Sequence, residues 1–320
     1  MLLADIFRPV PDLQWELAAQ MGVSTAICRL PEDPDFDYTN PDQMKAFFDQ
    51  FKQRGFKPLV VEPMPNRLHD HIKRGDDKRD ECIEIVKKMI PILKENGIET
   101  ICTNFVPEVG WYRTSGTLPE RGGALVTEFN IDDIDIDMNL KVTKQEAWDR
   151  LEYFLKAVMP TCEQYDINIA LHPDDPPVEK LGNLERILIS KDNIQKAIDI
   201  YPSKNLGITM CQANYVAMGE DVYECIRHFG KQNKIFFVHF RDIAGTKEHF
   251  HETFHDNGPT DMAKCLETYK EVGFEGPIRI DHVPTMAGER NDQPGYQDYG
   301  RLYAIGYLRG LCEALKYPLK

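Results

Sequence analysis

Two patterns of apolar and polar positions alternate along the whole chain. Short runs rich in β-branched and apolar residues are typical of buried strands, as in VSTAICRL at 23–30. Longer segments, such as 42–54, repeat apolar residues every three or four positions and indicate amphipathic helices. The pattern predicts strands at 2–7, 23–30, 58–62, 99–105, 167–172, 206–211, 235–240 and 277–282. It predicts helices at 11–21, 42–54, 78–96, 143–165, 192–200, 222–229, 259–272 and 299–315.

Eight strand–helix units in strict alternation predict an α/β fold, a single (β/α)8 TIM barrel. We expect residues 1–320 to form one catalytic domain of this kind. A doubly wound open sheet is the rival, but it favours a glycine-rich loop after the first strand. Here the sequence Arg8-Pro9-Val10-Pro11 follows that strand, which favours the barrel.

The longest stretch without a regular pattern follows the fourth strand, at about 106–143. It contains Trp111, Arg113 and an acidic run at 132–137. Irregular loops of this length in a compact domain are usually functional, so we expect this loop to act as a lid.

The ends of the last four predicted strands carry metal-binding side chains. In a TIM barrel the carboxyl ends of all strands meet at one rim, which holds the active site. The last two residues of predicted strands five to eight include, one in each strand, His172, Cys211, His239 and Asp281. Singly, such a histidine is more often structural, such a cysteine a small buried apolar residue, and such an aspartate a turn cap. Four consecutive strands with this feature predict one metal site instead.

Two imidazoles, a thiolate and a carboxylate suit Zn²⁺, Fe²⁺ or Mn²⁺, and the thiolate by itself favours zinc. The sequence His172-Pro173-Asp174-Asp175-Pro176-Pro177 is a stiff turn that would hold the first ligand in place. Its two aspartates either orient the histidine or make the turn.

Several polar residues near the rim are candidate substrate contacts. The side chains that we expect to contact the substrate are Glu62, Asn104, Trp111, Arg113, Arg241 and His251. The planar guanidinium groups of the two arginines suit a carboxylate. Arg241 could equally be a surface residue whose hydrogen bonds are already made. His251 and His255 either line the pocket and bind hydroxyls or belong to a solvated loop. Tyr296 lies in a Pro-Gly turn and is a proton donor only if it faces the metal.

Composition narrows the class of partner. The 320 residues are 42% hydrophobic and 28% charged, with a formal net charge of −14. An acidic chain is a poor partner for nucleic acid. Eight scattered cysteines without a CxxC pair read as reduced thiols, and the sequence shows neither a secretion signal nor a membrane-spanning run. We therefore expect a cytoplasmic protein with a small-molecule substrate and no membrane partner. The sequence does not decide whether the chain forms a homo-oligomer such as a dimer.

The motifs resemble those of the mannonate dehydratases, a family of the xylose-isomerase-like TIM-barrel superfamily. The resemblance covers nearly the whole chain, and 172–177 is its most specific part. The other matching segments are Val60-Val61-Glu62, Ile72-Lys73-Arg74-Gly75, Arg79-Asp80, 102–107 with Trp111, Arg113 and Thr114, Val238-His239-Phe240-Arg241, His251-Glu252, Asp261-Met262, Asp281-His282 and Pro294-Gly295-Tyr296.

This resemblance implies a lyase of hexuronate catabolism that removes water from D-mannonate to give 2-keto-3-deoxy-D-gluconate. It implies Mn²⁺, with Fe²⁺ and Zn²⁺ as alternatives, on the four ligands named above. It implies an acid/base pair of His282 and Tyr296, in an order that the sequence leaves open. The expected mechanism is abstraction of the α-proton and loss of the C3 hydroxyl, with the metal on the carboxylate and a neighbouring hydroxyl and Arg113 holding the carboxylate.

Three features of the chain depart from the family pattern. Gly110 stands where the family usually has Asp, Tyr112 replaces a Thr, and Gln212-Ala213-Asn214 follows the cysteine in place of small residues. The departures bear on which sugar acid is bound. The alternative functions are a metal-dependent sugar isomerase or epimerase on the same barrel and a non-catalytic sugar-acid binder.

Overall fold

The computed structural model of the chain describes residues 1–136 and 139–320, so Asp137 of the predicted acidic run lies outside the described residues. The strands are β1 (Leu2–Phe7), β2 (Thr25–Cys28), β3 (Lys57–Val61), β4 (Thr100–Thr103), β5 (Ser115–Pro119), β6 (Leu125–Asn130), β7 (Asn168–Leu171), β8 (Lys180–Leu181), β9 (Leu184–Glu185), β10 (Leu206–Cys211), β11 (Ile235–Phe240), β12 (Ile243–Gly245), β13 (His249–Glu252) and β14 (Pro277–Ile280). The α-helices are α1 (Leu13–Gln20), α2 (Pro41–Lys52), α3 (Asn66–Arg74), α4 (Arg79–Glu95), α5 (Lys144–Tyr165), α6 (Lys191–Asp199), α7 (Gln212–Ala217), α8 (Val222–Gly230), α9 (Met262–Glu271) and α10 (Asp298–Ala314).

Eight strands close into a parallel barrel in the order β1-β14-β11-β10-β7-β4-β3-β2. β1 pairs with both β14 and β2, and this double pairing closes the sheet. The predicted TIM barrel is therefore confirmed. In β10 and β11 the register sets Cys211 directly beside His239, so two predicted metal ligands are neighbours across one strand pair.

Each predicted barrel strand overlaps an observed one, but the first and last residues of several strands differ from the prediction. The limits of β1, β10 and β11 match the prediction, β3 is shifted by one residue at the same length, and the other four barrel strands are shorter. For example, β14 ends at Ile280, so Asp281 and His282 lie in the loop that follows. Apolar character continues past the last ladder bond, so composition alone extends a strand too far.

The core has two layers, inside and outside the barrel wall. An aromatic cluster in the outer layer includes Trp15 stacked on Phe51 at 4.3 Å between ring centroids, beneath α1 and α2. The barrel interior is filled by small and branched side chains together with one phenylalanine: Ala4, Ile6, Ile27, Leu59, Val60, Cys102 and Phe237. This packed interior closes the middle of the barrel, so a cavity at the carboxyl-end rim does not continue through it.

The loop at 106–143 differs from the irregular lid that was predicted. It contains β5 and β6, which join β12 and β13 in an antiparallel sheet of order β12-β13-β6-β5, here called the cap sheet. The loops after β4 and β11 are therefore one structure. A backbone bridge between Leu125 and Thr285 ties the cap sheet to the segment after β14.

Two helices were absent from the prediction. α3 is a polar helix in the connection between β3 and α4, and it brings Lys73 towards the rim. α7 begins directly after Cys211. Among the described residues, no helix combines the length and apolar character needed to cross a membrane.

Candidate metal centre and active site

A cavity of about 270 Å³ opens at the carboxyl ends of the barrel strands. A small-ligand site is expected at this rim of a TIM barrel. Eight of the twelve predicted site residues line it: Glu62, Asn104, Trp111, His172, His239, Asp281, His282 and Tyr296. Cys211 is fully buried next to this wall, within metal-sharing distance of His172 and His239.

The four predicted metal ligands come together. The Nε2 atom of His172 lies 3.2 Å from Nδ1 of His239. That Nδ1 lies 3.5 Å from Oδ2 of Asp281, and the same carboxylate oxygen is 4.0 Å from Sγ of Cys211. Donor atoms of the two histidines and the cysteine lie within 4.8 Å of one another. The residues therefore fit a divalent first-row ion by donor type and by convergence.

Neighbouring groups orient two of these ligands. Nδ1 of His172 lies 2.6 Å from its neighbour's carbonyl oxygen at Pro173, so it carries the proton and leaves the Nε2 lone pair facing His239. The Sγ atom of Cys211 lies 3.0 Å from Oδ1 of Asn214, in the first turn of α7. The orienting contact to His172 comes from the Pro173 carbonyl and not from either aspartate, since Asp174 accepts from the backbone N–H groups of Ile187 and Leu188 and Asp175 accepts from Arg113 and Arg241.

The charge around the four ligands favours a cation. Burial lowers the pKa of His239 and Arg279 lowers it further, but Glu62 and Asp281 outweigh both and raise it to about 9. The same carboxylates that favour a proton on this imidazole also favour a metal ion beside it.

His239 also belongs to a second group of possible donors, with Glu62 and Cys102. In that group both oxygens of Glu62 accept from Arg279, at 3.1 Å each. Burial, followed by the charge of Glu62, raises the pKa of the Cys102 thiol well above its usual value. Asp281 is paired with arginines in the same way, at 2.7 Å from Arg279 and 2.8 Å from Arg241, so the carboxylates do not separate the two groups. The first group is the better candidate metal site because it offers two imidazoles.

A hydrogen-bonded chain lies beside the candidate metal centre. Nδ1 of His282 donates to Oε1 of Glu252 at 2.7 Å, and its Nε2 lies 3.0 Å from the Tyr296 hydroxyl. Burial raises the pKa of Glu252, but Arg241 and the other nearby cations outweigh burial and lower it to about 2. Because the ionised carboxylate only accepts, the proton of His282 is on Nδ1 and its Nε2 is free to accept.

The phenol at the end of this chain keeps its proton. Burial, together with the Asp281 carboxylate, raises the pKa of Tyr296 above its usual value. The ring of Trp111 lies 5.0 Å from that of His282 and 6.1 Å from that of Tyr296, so it forms an apolar wall over both. The structure thus brings both predicted catalytic residues and Trp111 to the same cavity.

Arg113 and Arg241 do not lie where a substrate carboxylate would meet them, and their predicted role is corrected here. Arg113 donates to Asp175 and Glu252, each at 2.6 Å. Arg241 donates to the same two carboxylates, at 2.6 and 2.8 Å, and to Asn214 at 2.5 Å. Arg113, Arg241, Asp175 and Glu252, here called the buried ion network, therefore leave neither arginine fork available.

Two of the three histidines that follow β12, His251 and His255, do not line the cavity. His251 is half-buried on β13 and is not among the residues that line the cavity. His255 is buried and donates through Nε2 to the carbonyl of Phe240 at 2.8 Å. Burial lowers the pKa of His255 to about 4, so it is a neutral structural residue.

Comparison with known proteins decides the family. A family model described as D-mannonate dehydratase (UxuA) matches residues 11–141 and 133–320. The chain belongs to the D-mannonate dehydratase family. Mannonate dehydratase 2 of Halalkalibacterium halodurans is 34% identical over 304 residues, which cover 86% of this chain and 87% of that protein.

Solved structures agree with this membership. The mannonate dehydratase of Streptococcus suis serotype 2 superposes with a TM-score of 0.89 at 27% identity, covering 98% of this chain and 93% of that one. A xylose isomerase domain protein from Alicyclobacillus acidocaldarius superposes with a TM-score of 0.67 at 12% identity and shows the shared fold alone.

The departures from the dehydratase pattern lie close to the site. A Cβ atom at Gly110 would come 2.6 Å from Nδ2 of Asn104, so the glycine makes room for that amide. Asn214, in the segment after the cysteine, contacts both Cys211 and Arg241. The hydroxyl oxygen of Tyr112 accepts from the backbone N–H of Asp135 at 3.2 Å.

Sequence reasoning missed several functional residues of this dehydratase. Glu252 contacts the candidate catalytic residue His282, Arg279 pairs with the candidate metal ligand Asp281, and Asp175 pairs with Arg241. Lys73 lies in the cavity wall. An arginine inside an apolar strand was a usable signal for Arg279, since a buried charge demands a partner. Lys73 stands in a segment that matches the family, but nothing in the sequence placed it in the cavity wall, because α3 itself was not predicted.

Proposed function

We propose that the protein is a metal-dependent hydro-lyase that converts D-mannonate to 2-keto-3-deoxy-D-gluconate, as the names of its relatives suggest. The observation that carries the proposal is the shared cavity. Four metal-binding side chains and the chain Glu252–His282–Tyr296 meet at one rim, in a member of the dehydratase family.

His172, Cys211, His239 and Asp281 would hold the divalent ion, for which we propose Mn²⁺ in line with the family resemblance. When bound, the ion supplies a Lewis acid that stabilises negative charge on the substrate oxygens. The two histidines and Asp281 present their donors at the cavity wall, and Asn214 holds the cysteine in place behind them.

His282 is the base in the proposed reaction. Glu252 holds the Nδ1 proton, so Nε2 accepts the proton from C2 of the substrate. The resulting imidazolium would be stabilised by the same carboxylate, with which it forms an ion pair at 2.7 Å.

Tyr296 is the acid. Its phenol donates a proton to the C3 hydroxyl, and the C3–O bond breaks with release of water. The electron pair of the former C2–H bond forms the C2–C3 double bond of an enol, which becomes the 2-keto group when C3 takes up a proton. Trp111 covers the His282 and Tyr296 rings and limits access of bulk water to them.

Product analysis tests this function. Incubation of the purified protein with Mn²⁺ and D-mannonate should yield one 2-keto-3-deoxy acid and one water per substrate. Release of a ketose, or of an epimer with no loss of water, would support the isomerase or epimerase alternative and contradict the dehydratase.

The metal is tested on the protein itself. Elemental analysis should find about one divalent ion per chain after loading, and a chelator should abolish turnover until Mn²⁺ is restored. Fe²⁺ and Zn²⁺ are the comparison metals, since the same donors accept them. Protein that binds no divalent ion and gains no activity from any of the three would contradict the proposal.

The proposed setting is the cytoplasm and the catabolism of hexuronates. All eight cysteines are buried and unpaired, which fits a reducing compartment. Fractionation of the native cells would test this placement.

A further inference from the structure

Lys73 brings a buried positive charge to the cavity wall. It lies near the end of α3, and only 3% of its surface is exposed. Its ammonium group donates to Oδ1 of Asn104 at 2.7 Å. Within residues 1–136 and 139–320 it forms no ion pair with a carboxylate, and two of its three N–H donors have no protein acceptor.

Three other buried cations beside the cavity are already neutralised, and a fourth, Arg186, donates to the backbone carbonyls of Pro176 and Val109 and does not line the cavity. Arg279 pairs with Glu62 and with Asp281, at 3.1 and 2.7 Å. The two arginines of the buried ion network are held by its two carboxylates. A substrate anion that enters the cavity therefore meets no free charge from these groups.

We propose that the ammonium group of Lys73 binds the carboxylate of the sugar acid, a role that rests on the proposed function. A buried charge is costly unless it is paired and hydrogen-bonded. A carboxylate supplies the missing opposite charge and acceptors for the two remaining N–H groups. Asn104 fixes the direction of the ammonium, and Gly110 leaves the space that the Asn104 amide needs.

Arg29 is the competing cation of the same wall. It follows β2 at the rim, and among the described residues its side chain has no ion-pair partner. Its side chain is exposed, however, so water already solvates the guanidinium. An ion pair with a substrate carboxylate therefore stabilises the complex less at Arg29 than at Lys73. The reason is that the desolvation penalty of an unpaired charge, which a partner offsets, grows with burial.

The electrostatics of Lys73 agree with a missing partner. Burial lowers its pKa to about 7, although the charges of Asp70 and Asp174 act in the opposite direction and Arg186 adds to the lowering. Neither acid is close enough to form an ion pair, so the positive charge of Lys73 is not neutralised by a neighbouring carboxylate.

The test compares an anion with its neutral analogue. Binding of D-mannonate and of D-mannitol, in which C1 is an alcohol, is measured by titration calorimetry with Mn²⁺ present. A Tyr296→Phe background prevents turnover. Adding Lys73→Met should weaken D-mannonate binding by roughly ten- to a hundredfold, the usual effect of a charged hydrogen bond. D-mannitol binding should change by less than about twofold by the same reasoning, because no carboxylate is lost.

Arg29→Met is the matched control, since it removes a cation from the same wall. Equal loss of both ligands in Lys73→Met would mean that the residue binds a hydroxyl, and a larger loss of D-mannonate in Arg29→Met would assign the carboxylate there; either result overturns the proposal. Lys73→Met should melt no lower than the parent protein, because a buried unpaired charge is removed. Lys73→Gln repeats the comparison with a polar side chain that can still reach Asn104. Because binding is read without turnover, an enzyme that fails to dehydrate D-mannonate refutes the proposed function and not this one.

Discussion

At the scale of single residues, Glu252 joins the catalytic pair to the buried ion network. Its Oε1 accepts from His282 at 2.7 Å and from Arg113 at 2.6 Å, and Arg241 donates to both of its oxygens. A carboxylate with this many donors stays ionised, and an ionised Glu252 keeps the proton of His282 on Nδ1. The arginines therefore act on the base indirectly, by keeping its partner charged and in place.

Replacement of Tyr296 by Phe removes the proposed acid and little else. We expect kcat for D-mannonate to fall by roughly 10²–10⁴-fold, the usual contribution of a positioned acid or base. KM should change little, because the hydroxyl acts mainly in the transition state. Steady-state kinetics check this, with Tyr299→Phe as the control because Tyr299 is 52% exposed on α10. A similar kcat in both variants would remove Tyr296 from the mechanism.

The charge of Lys73 predicts a pH dependence of substrate binding. With a pKa of about 7, the free enzyme carries the ammonium below that pH and loses it above. Binding of D-mannonate to the Tyr296→Phe protein should therefore weaken as the pH rises through about 7 towards 9. The charged groups around Lys73 are Asp70 on α3, Asp174 after β7 and Arg186 after β9.

Lys73→Arg is the control for this dependence, because arginine stays protonated throughout the range. Its binding of D-mannonate should be flat over the pH interval in which the parent protein weakens. Parallel curves for the two proteins would assign the dependence to another group.

The rule that strand ends carry the site predicted four candidate metal ligands that converge in the structure, but it did not predict the side chains that surround them. His251 and Glu252 are neighbours on β13, and successive strand residues point to opposite faces. The sequence alone does not say which of the two side chains faces the barrel, and His251 is the one that it predicts as a substrate contact. The structure turns Glu252 towards the site and gives His251 a backbone pairing with Glu128.

At the scale of elements, the cap sheet shows what local pattern could not predict. β6 pairs with β13 through Asn130 and His249, whose positions are 119 residues apart (249 − 130). Each segment is too short and too mixed in composition to be recognised as a strand alone, and each becomes one only when its distant partner is beside it. The eight barrel strands were predictable because each is a continuous apolar run.

Gly245 tests the link between the cap sheet and catalysis. It ends β12 at φ +124°, and a Cβ atom there would meet the carbonyl oxygen of His249 at 2.2 Å. Gly245→Ala should force β12 away from β13, displace Glu252 and lower kcat by about tenfold or more, as a 1 Å misplacement can cost 10²-fold. Kinetics with D-mannonate and thermal melting measure the two effects.

Gly219→Ala is the matched control. Gly219 is also left-handed, at φ +78°, but it has no heavy atom within 4 Å of a new Cβ. It should lose only about 1–2 kcal/mol of stability from backbone strain, with unchanged kcat. An equal kcat for both variants would show that the cap sheet does not position Glu252.

At the scale of the whole molecule, the candidate metal centre spans half of the barrel. Its ligands follow or end β7, β10, β11 and β14, four consecutive strands in the barrel order. This arrangement was predictable because alternation fixes a parallel barrel and a parallel barrel sends every carboxyl end to one rim. The buried ion network was not predictable, since Arg113 and Glu252 are 139 residues apart and nothing local pairs them.

The span of the ligands predicts that metal binding stabilises the entire fold. An ion that binds only the folded chain adds about 2.7 kcal/mol at a free concentration a hundredfold above its Kd. With an unfolding entropy of about 2.1 cal/mol/K per residue, that raises the melting temperature by about 4 °C for this chain. Calorimetry with and without Mn²⁺ measures the shift.

Cys211→Ser should lose most of this shift in melting temperature, whereas Cys225→Ser, which alters a buried thiol on α8 away from the ligands, should keep it. An equal shift in both variants would place the bound ion elsewhere, because of these two thiols only that of Cys211 belongs to a group of converging donors.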